Sequence, residues 1–184
     1  MPTFYRVFPL VDSSLPREPG GPLYTPATNA GRLDNPELYS VFYLSDAGPG
    51  AIAEAFGRFP EWTSDMLAGS LALPGSVRAI ARYRLDDDAA ICNLDDPAQL
   101  LRLGLRPSEV VSRNYERTRA WARRIYEEGT WVGIRWWSYY DPQWGSTGLW
   151  DVRQLVVEDV RALRLDEPAL IEASRTIARR VIER

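Results

Sequence analysis

The chain has 184 residues, 45% hydrophobic and 26% charged, the size and balance of one globular domain with its own core. Histidine and lysine are absent and Cys92 is the lone cysteine, which excludes Ser-His-Asp and Cys-His catalysis, histidine or cysteine metal sites and an intrachain disulfide. A net charge of −3 and a pI near 5.1 exclude the broad basic face of a nucleic-acid binder, and no run nears the ~18 to 20 apolar residues of a membrane span.

The start, Met1-Pro2-Thr3-Phe4-Tyr5-Arg6, lacks a basic region followed by an apolar run, so a cytoplasmic protein is expected. Phe4 to Leu10 alternates as a strand, with Phe4, Arg6 and Phe8 on one face. Asp12 to Asn35 is rich in Pro, Gly, Ser, Thr and Asn and reads as an ordered, irregular loop. Tyr39 to Leu44 is a second strand. Ser45-Asp46-Ala47-Gly48-Pro49 is its turn, with Ser45 or Asp46 placed to cap a helix running through Phe59. Val77 to Leu85 is a strand, Asp86-Asp87-Asp88 a solvated acidic turn and Ala89 to Leu94 a short strand. Pro97 to Leu103 is a short helix stopped by Gly104. Asn114 to Glu128 has helical spacing, Trp131 to Trp137 and Leu149 to Val157 read as buried strands, and Pro168 to Ile182 as an amphipathic terminal helix. The class is α+β, one domain over 1–184, with residues 151–184 part of the same unit.

Five side chains stand out for chemistry. Arg6 on its apolar strand needs an anionic partner, either a core carboxylate or a bidentate ligand group. Arg32, after Gly31, is a phosphate-binding candidate because every cation in this chain is an arginine; alone it would read as a turn arginine in solvent. Tyr43 in Val41-Phe42-Tyr43-Leu44 is either core or a platform for a flat ring. Glu54 in Ala51-Ile52-Ala53-Glu54-Ala55 is either a solvated helix position or a carboxylate facing arginine and ligand hydroxyls. Ser138, set among aromatics before Asp141-Pro142, suits the mouth of a pocket. With no histidine to activate it, it is a better phosphate-binding hydroxyl than a nucleophile.

Taken in order, these residues resemble the RES-domain family, named for its arginine, glutamate and serine. The resemblance starts at Phe4-Tyr5-Arg6-Val7 and runs through Gly31-Arg32, a Tyr-Leu-Ser strand end and Glu54. It closes with Ser138 after a Gly-Ile-Arg strand, so that about residues 4–150 carry the motifs. The chain departs from the family pattern after Gly31-Arg32, where Leu33, Asp34 and Asn35 replace the usual tryptophan and asparagine.

The resemblance implies the ADP-ribosyltransferase fold, a split mixed β-core with flanking helices and a cleft for a nicotinamide dinucleotide. It implies a bacterial toxin that destroys NAD+ by hydrolysis or phosphorolysis, held in check by an antitoxin with an Xre-like DNA-binding part. NAD+ is then the substrate, inorganic phosphate a candidate co-substrate, and no metal is required. Glu54, Arg6 and Ser138 take the catalytic positions and Arg32, Tyr43 and Tyr5 the NAD+-binding ones. Cleavage of the nicotinamide–ribose bond develops positive charge on the ribose, which a carboxylate stabilises, and nicotinamide leaves as a neutral molecule without a strong general acid. Two other outcomes use the same fold: ADP-ribose transfer to a protein acceptor, and an inactive interaction module.

Overall fold

In the computed structural model, which describes residues 1–182, alternation organises β1 (Thr3–Leu10). Phe4 and Phe8 are buried on one face, while Tyr5 and Val7 pack on a separate cluster on the other. After the long loop come β2 (Phe42–Ser45), α1 (Gly48–Phe56), β3 (Glu61–Trp62), β4 (Ala68–Ser70), β5 (Leu73–Leu85) and β6 (Ile91–Asn93). Helices α2 (Pro97–Leu103), α3 (Pro107–Val110) and α4 (Tyr115–Glu127) follow. The chain continues with β7 (Gly133–Trp137), β8 (Gly145–Leu149), β9 (Leu155–Ala162), α5 (Pro168–Thr176) and β10 (Arg180–Val181). No helix among the described residues is long and apolar enough to cross a membrane.

Eight strands form one mixed sheet in the order β4-β5-β1-β2-β8-β7-β6, with β9 also paired to β5. Only β6 and β7 run parallel within it. β1 is in register with β5 along its whole length but meets β2 at one pair, Tyr5↔Ser45. The sheet is therefore split into two halves that diverge from that point. Phe4, Phe8, Phe42, Leu44, Tyr83 and Leu149 fill the space between the halves. α1 and α5 cover one half through Ile52, Phe56 and Leu170. α4 covers the other with Trp121, Ala122 and Ile125. The mixed β-core with flanking helices is the α+β class expected.

Several boundaries differ from the expectation. The helix after β2 stops at Phe56, not Phe59, and its N-cap is Ala47 without a side-chain cap. Asp46 instead ties β2 to the opposite strands, accepting from the Gly145 N–H at 2.6 Å and from Arg135 at 2.8 Å. β2 begins at Phe42, and Tyr39 forms an isolated bridge with Asn35. The stretch Leu149 to Val157 is not one strand. Leu149 ends β8 and Leu155 opens β9, separated by a turn in which Arg153 pairs with Asp151. The terminal helix ends at Thr176, because Ala178 turns the chain with φ 53° and Val181 then pairs alongside Trp62. Ile177 and Val181 still reach the core, from a turn and a strand. Glu183 and Arg184, the last two positions of the expected 1–184 unit, lie outside the described residues.

Candidate functional site

Where the two half-sheets part, a pocket of about 330 Å³ opens between β1, β2, α1 and the loop before β2. Tyr5, Arg6, Arg32, Tyr43 and Glu54 all line it, so five of the six expected site residues converge. Ser138 does not line it. It is 3% exposed and sits behind Glu54, where its hydroxyl donates to Oε1 at 2.7 Å and accepts from the Tyr140 N–H at 3.2 Å. Ser138 supports the carboxylate from behind and is not at the pocket mouth.

Glu54 is held on the wall by the rest of α1, whose residues from Gly48 to Ala53 and Phe56 are buried. Glu54 itself is exposed, its side chain opening through the pocket to solvent while most of its helix neighbours are buried. Burial raises its pKa; the Ser138 hydrogen bond, the charge of Arg32 and the Ser146 hydroxyl pull it back.

Arg32 owes its place to a densely hydrogen-bonded loop. The Asp34 carboxylate accepts from the Thr28 hydroxyl, from the Ala30 and Gly31 N–H groups at 3.1 and 2.8 Å, and from the Tyr43 hydroxyl at 2.7 Å. Tyr43 in turn accepts from the Leu33 N–H at 3.0 Å. Gly31 is required because any Cβ there would overlap the Tyr43 ring. From α4, Thr118 donates to the Arg32 carbonyl at 2.7 Å and Arg119 to the Gly31 carbonyl at 3.1 Å. The Leu33-Asp34-Asn35 departure is thus a working scaffold: Leu33 is fully buried, Asp34 ties the loop, and Asn35 donates to Tyr39 at 2.8 Å.

The two arginines have one property in common. Arg32 donates to the carbonyls of Val110 and Ser112 at 2.6 and 2.7 Å. Arg6 donates to the Tyr24 carbonyl at 2.8 Å and lies 4.1 Å from the Phe42 ring centroid. Neither has a carboxylate within salt-bridge distance among the described residues, so the core-carboxylate alternative for Arg6 is not what the structure holds. Burial lowers the pKa of both. Two enclosed cations without a protein anion suit a doubly anionic ligand. The head group of Arg6 is turned toward the loop and Tyr83, whereas Arg32 is the arginine whose charge reaches Glu54.

Ser45, the end of the Tyr-Leu-Ser strand, also lines the pocket, as do Trp136, Ser146, Tyr115 and Tyr139, none of which is among the expected site residues. Trp136 meets Tyr43 edge to face at 6.4 Å between centroids. Tyr115 and Tyr139 are 39% and 57% exposed, a stacking rim with Arg113 lying 4.7 Å from the Tyr139 ring. Strand alternation would flag Trp136 once Ser138 is placed; Ser146 sits in Gly-Ser-Thr-Gly, which carries no such signal.

The family model described as RES domain matches residues 3–176. No curated protein matches the chain. Among solved structures, a chain of the M. tuberculosis MbcT–MbcA toxin–antitoxin complex superposes with a TM-score of 0.61 at 14% identity, covering 96% of this chain and 88% of that one. At that identity the likeness is one of fold.

Proposed function

The chain belongs to the RES domain family, and we propose that it is an NAD+-degrading enzyme that cleaves the nicotinamide–ribose bond. The observation that carries the reading is Glu54, fixed by Ser138 on the wall of a pocket also lined by Arg6 and Arg32, neither of which pairs with a carboxylate among the described residues. The arginines receive the pyrophosphate, or one of them an attacking inorganic phosphate. Tyr43, Trp136 and Tyr5 enclose the nicotinamide end.

As the C–N bond to nicotinamide breaks, its electron pair leaves with the neutral ring and positive charge grows on the ribose. The Glu54 carboxylate stabilises that charge from the pocket wall. Water or inorganic phosphate then bonds to the anomeric carbon, giving ADP-ribose and a proton, or ADP-ribose 1″-phosphate. None of the side chains lining the pocket is a histidine, a cysteine or a lysine, and this sequence of steps needs none.

Family membership and the fold shared with a chain of a toxin–antitoxin complex support a further role: a toxin whose cleft is covered by an antitoxin with an Xre-like DNA-binding part. The test of the reaction is purified protein with NAD+, with and without inorganic phosphate, and products separated by mass. ADP-ribose without phosphate identifies a hydrolase and ADP-ribose 1″-phosphate a phosphorylase. NAD+ left intact under both conditions refutes the reading.

A further inference from the structure

Two hydroxyls of β8, Ser146 Oγ and Thr147 Oγ1, are buried without a hydrogen-bond partner among the described residues. Buried hydroxyls are rarely left so, and each unpaired one calls for an explanation. Neighbours on a strand face opposite ways, and these two face different surroundings. Thr147 is in register with Leu44 and Arg135, and is fully buried on the reverse side of the sheet. Ser146 is in register with Ser45 and Trp136 and forms part of the pocket lining beside Glu54.

Three other hydroxyls near Glu54 are already committed. Ser45 donates to the Gly145 carbonyl at 3.0 Å, Tyr43 to Asp34 at 2.7 Å, and Ser138 to Glu54 Oε1 at 2.7 Å. Ser146 stands close enough to the Glu54 carboxylate to favour its ionised form, yet makes no hydrogen bond of good geometry with it. An ionised carboxylate only accepts, whereas a serine hydroxyl both donates and accepts. A ligand hydroxyl reaching this corner can donate to Glu54 and accept from Ser146, satisfying both at once.

We propose that Ser146 is a substrate contact that, with Glu54, reads one hydroxyl of the nicotinamide ribose. This rests on NAD+ being the substrate. Ser146 would then set specificity for the intact ribose, while Ser138 remains the positioning residue of Glu54.

The experiment compares kcat/KM for NAD+ with that for its two analogues lacking the 2- or the 3-hydroxyl of the nicotinamide ribose. Wild type, Ser146→Ala and Thr147→Ala are measured side by side. Ser146→Ala is expected to lower kcat/KM for NAD+ roughly tenfold and to change it no more than about twofold for one deoxy analogue, so that one preference contracts about tenfold. Thr147→Ala removes an equally unpaired hydroxyl from the other face and should keep the wild-type preference. Should Ser146→Ala fail to fold, Ser146→Cys keeps the volume without a strong donor and gives the same readout. An active wild type whose preferences survive Ser146 substitution for both analogues overturns this inference alone. A wild type inert toward NAD+ overturns the reading of the reaction and the inference with it.

Discussion

At Glu54 activity and stability pull in opposite directions. The proposed cleavage needs the carboxylate ionised beside the growing ribose charge, yet burial raises its pKa. Glu54→Gln should therefore lower NAD+ turnover on the order of 10²-fold or more in a folded protein, the scale on which removal of a preorganised charge-stabilising group is felt. Its effect on stability has the other sign. Because the pKa is raised in the folded state, the folded protein holds this proton more tightly than the unfolded chain. The stability linked to the group is present in full below the ordinary carboxylate pKa and is lost as pH climbs through the raised value. Glu54→Gln should melt higher than wild type at neutral pH, and the gap should close in acid below the ordinary carboxylate range; a variant that melts lower at neutral pH contradicts the cost assigned to burial. Ser138 acts on the same group. Its hydrogen bond at 2.7 Å favours the ionised form, so kcat/KM, which falls in acid as Glu54 takes up its proton, should fall at a higher pH in Ser138→Ala. An unmoved acid limb in that variant would mean that Ser138 does not tune the carboxylate.

The side chains reach one another because of a short helix made of small residues. α1 reads Gly-Pro-Gly-Ala-Ile-Ala-Glu-Ala-Phe and lies close against the sheet where the halves part. A Cβ on Gly50 would overlap the Ser45 hydroxyl and come within 3.1 Å of the Trp144 Cβ. Gly50→Ala should cost about 1–3 kcal/mol, as over-packing of a filled site generally does. Urea denaturation reads that loss, and activity should fall with it because Glu54 sits one turn along. How much of this is legible in the sequence differs by element. α2 carries its own punctuation, Asp96 accepting from the Ala98 N–H at 2.9 Å at one end and Gly104 in the left-handed region at the other, and its bounds are those expected. α4 is likewise announced by Asn114, which accepts from the Arg117 N–H at 3.2 Å. β3 and β10 are illegible, since two-residue strands have no period and exist only through each other. Asp46 has the sequence position of a helix cap, but its partners, Gly145 and Arg135, lie about a hundred positions away and only the fold brings them to it. For the same reason Glu54 and Arg32 can be nominated from residue type and order, while Ser146 cannot: its meaning depends on β8 lying between β2 and β7.

On the scale of the molecule, the split sheet divides between its halves the groups that the proposed substrate would join. Arg6 belongs to the half built on β1 and β5, Tyr43 and Ser146 to the half built on β2, β8 and β7, and the halves meet in the sheet at one residue pair. β1 is tied to β5 over eight positions, so each half is stiff and the seam between them is the weakest line in the sheet. A dinucleotide that engages cations and hydroxyls from both sides acts as a clasp across that seam. ADP-ribose, the product if the proposed reaction is hydrolysis, carries the same pyrophosphate and ribose and is not consumed. At about 100 times its Kd it should add ~2.7 kcal/mol of stability. For a chain of this length that corresponds to a rise in Tm of roughly 5–10 °C. The same addition should slow hydrogen exchange at β1 and β2 amides beside Tyr5 and Ser45 more than in α4, which packs on one half only. Arg6→Ala removes the first half's grip and should cut the thermal shift by at least half at the same ADP-ribose concentration, leaving exchange at the seam close to that of the free protein. A full shift in Arg6→Ala would show that the ligand is held by one half alone, and that the single pair joining the halves is not what the substrate closes.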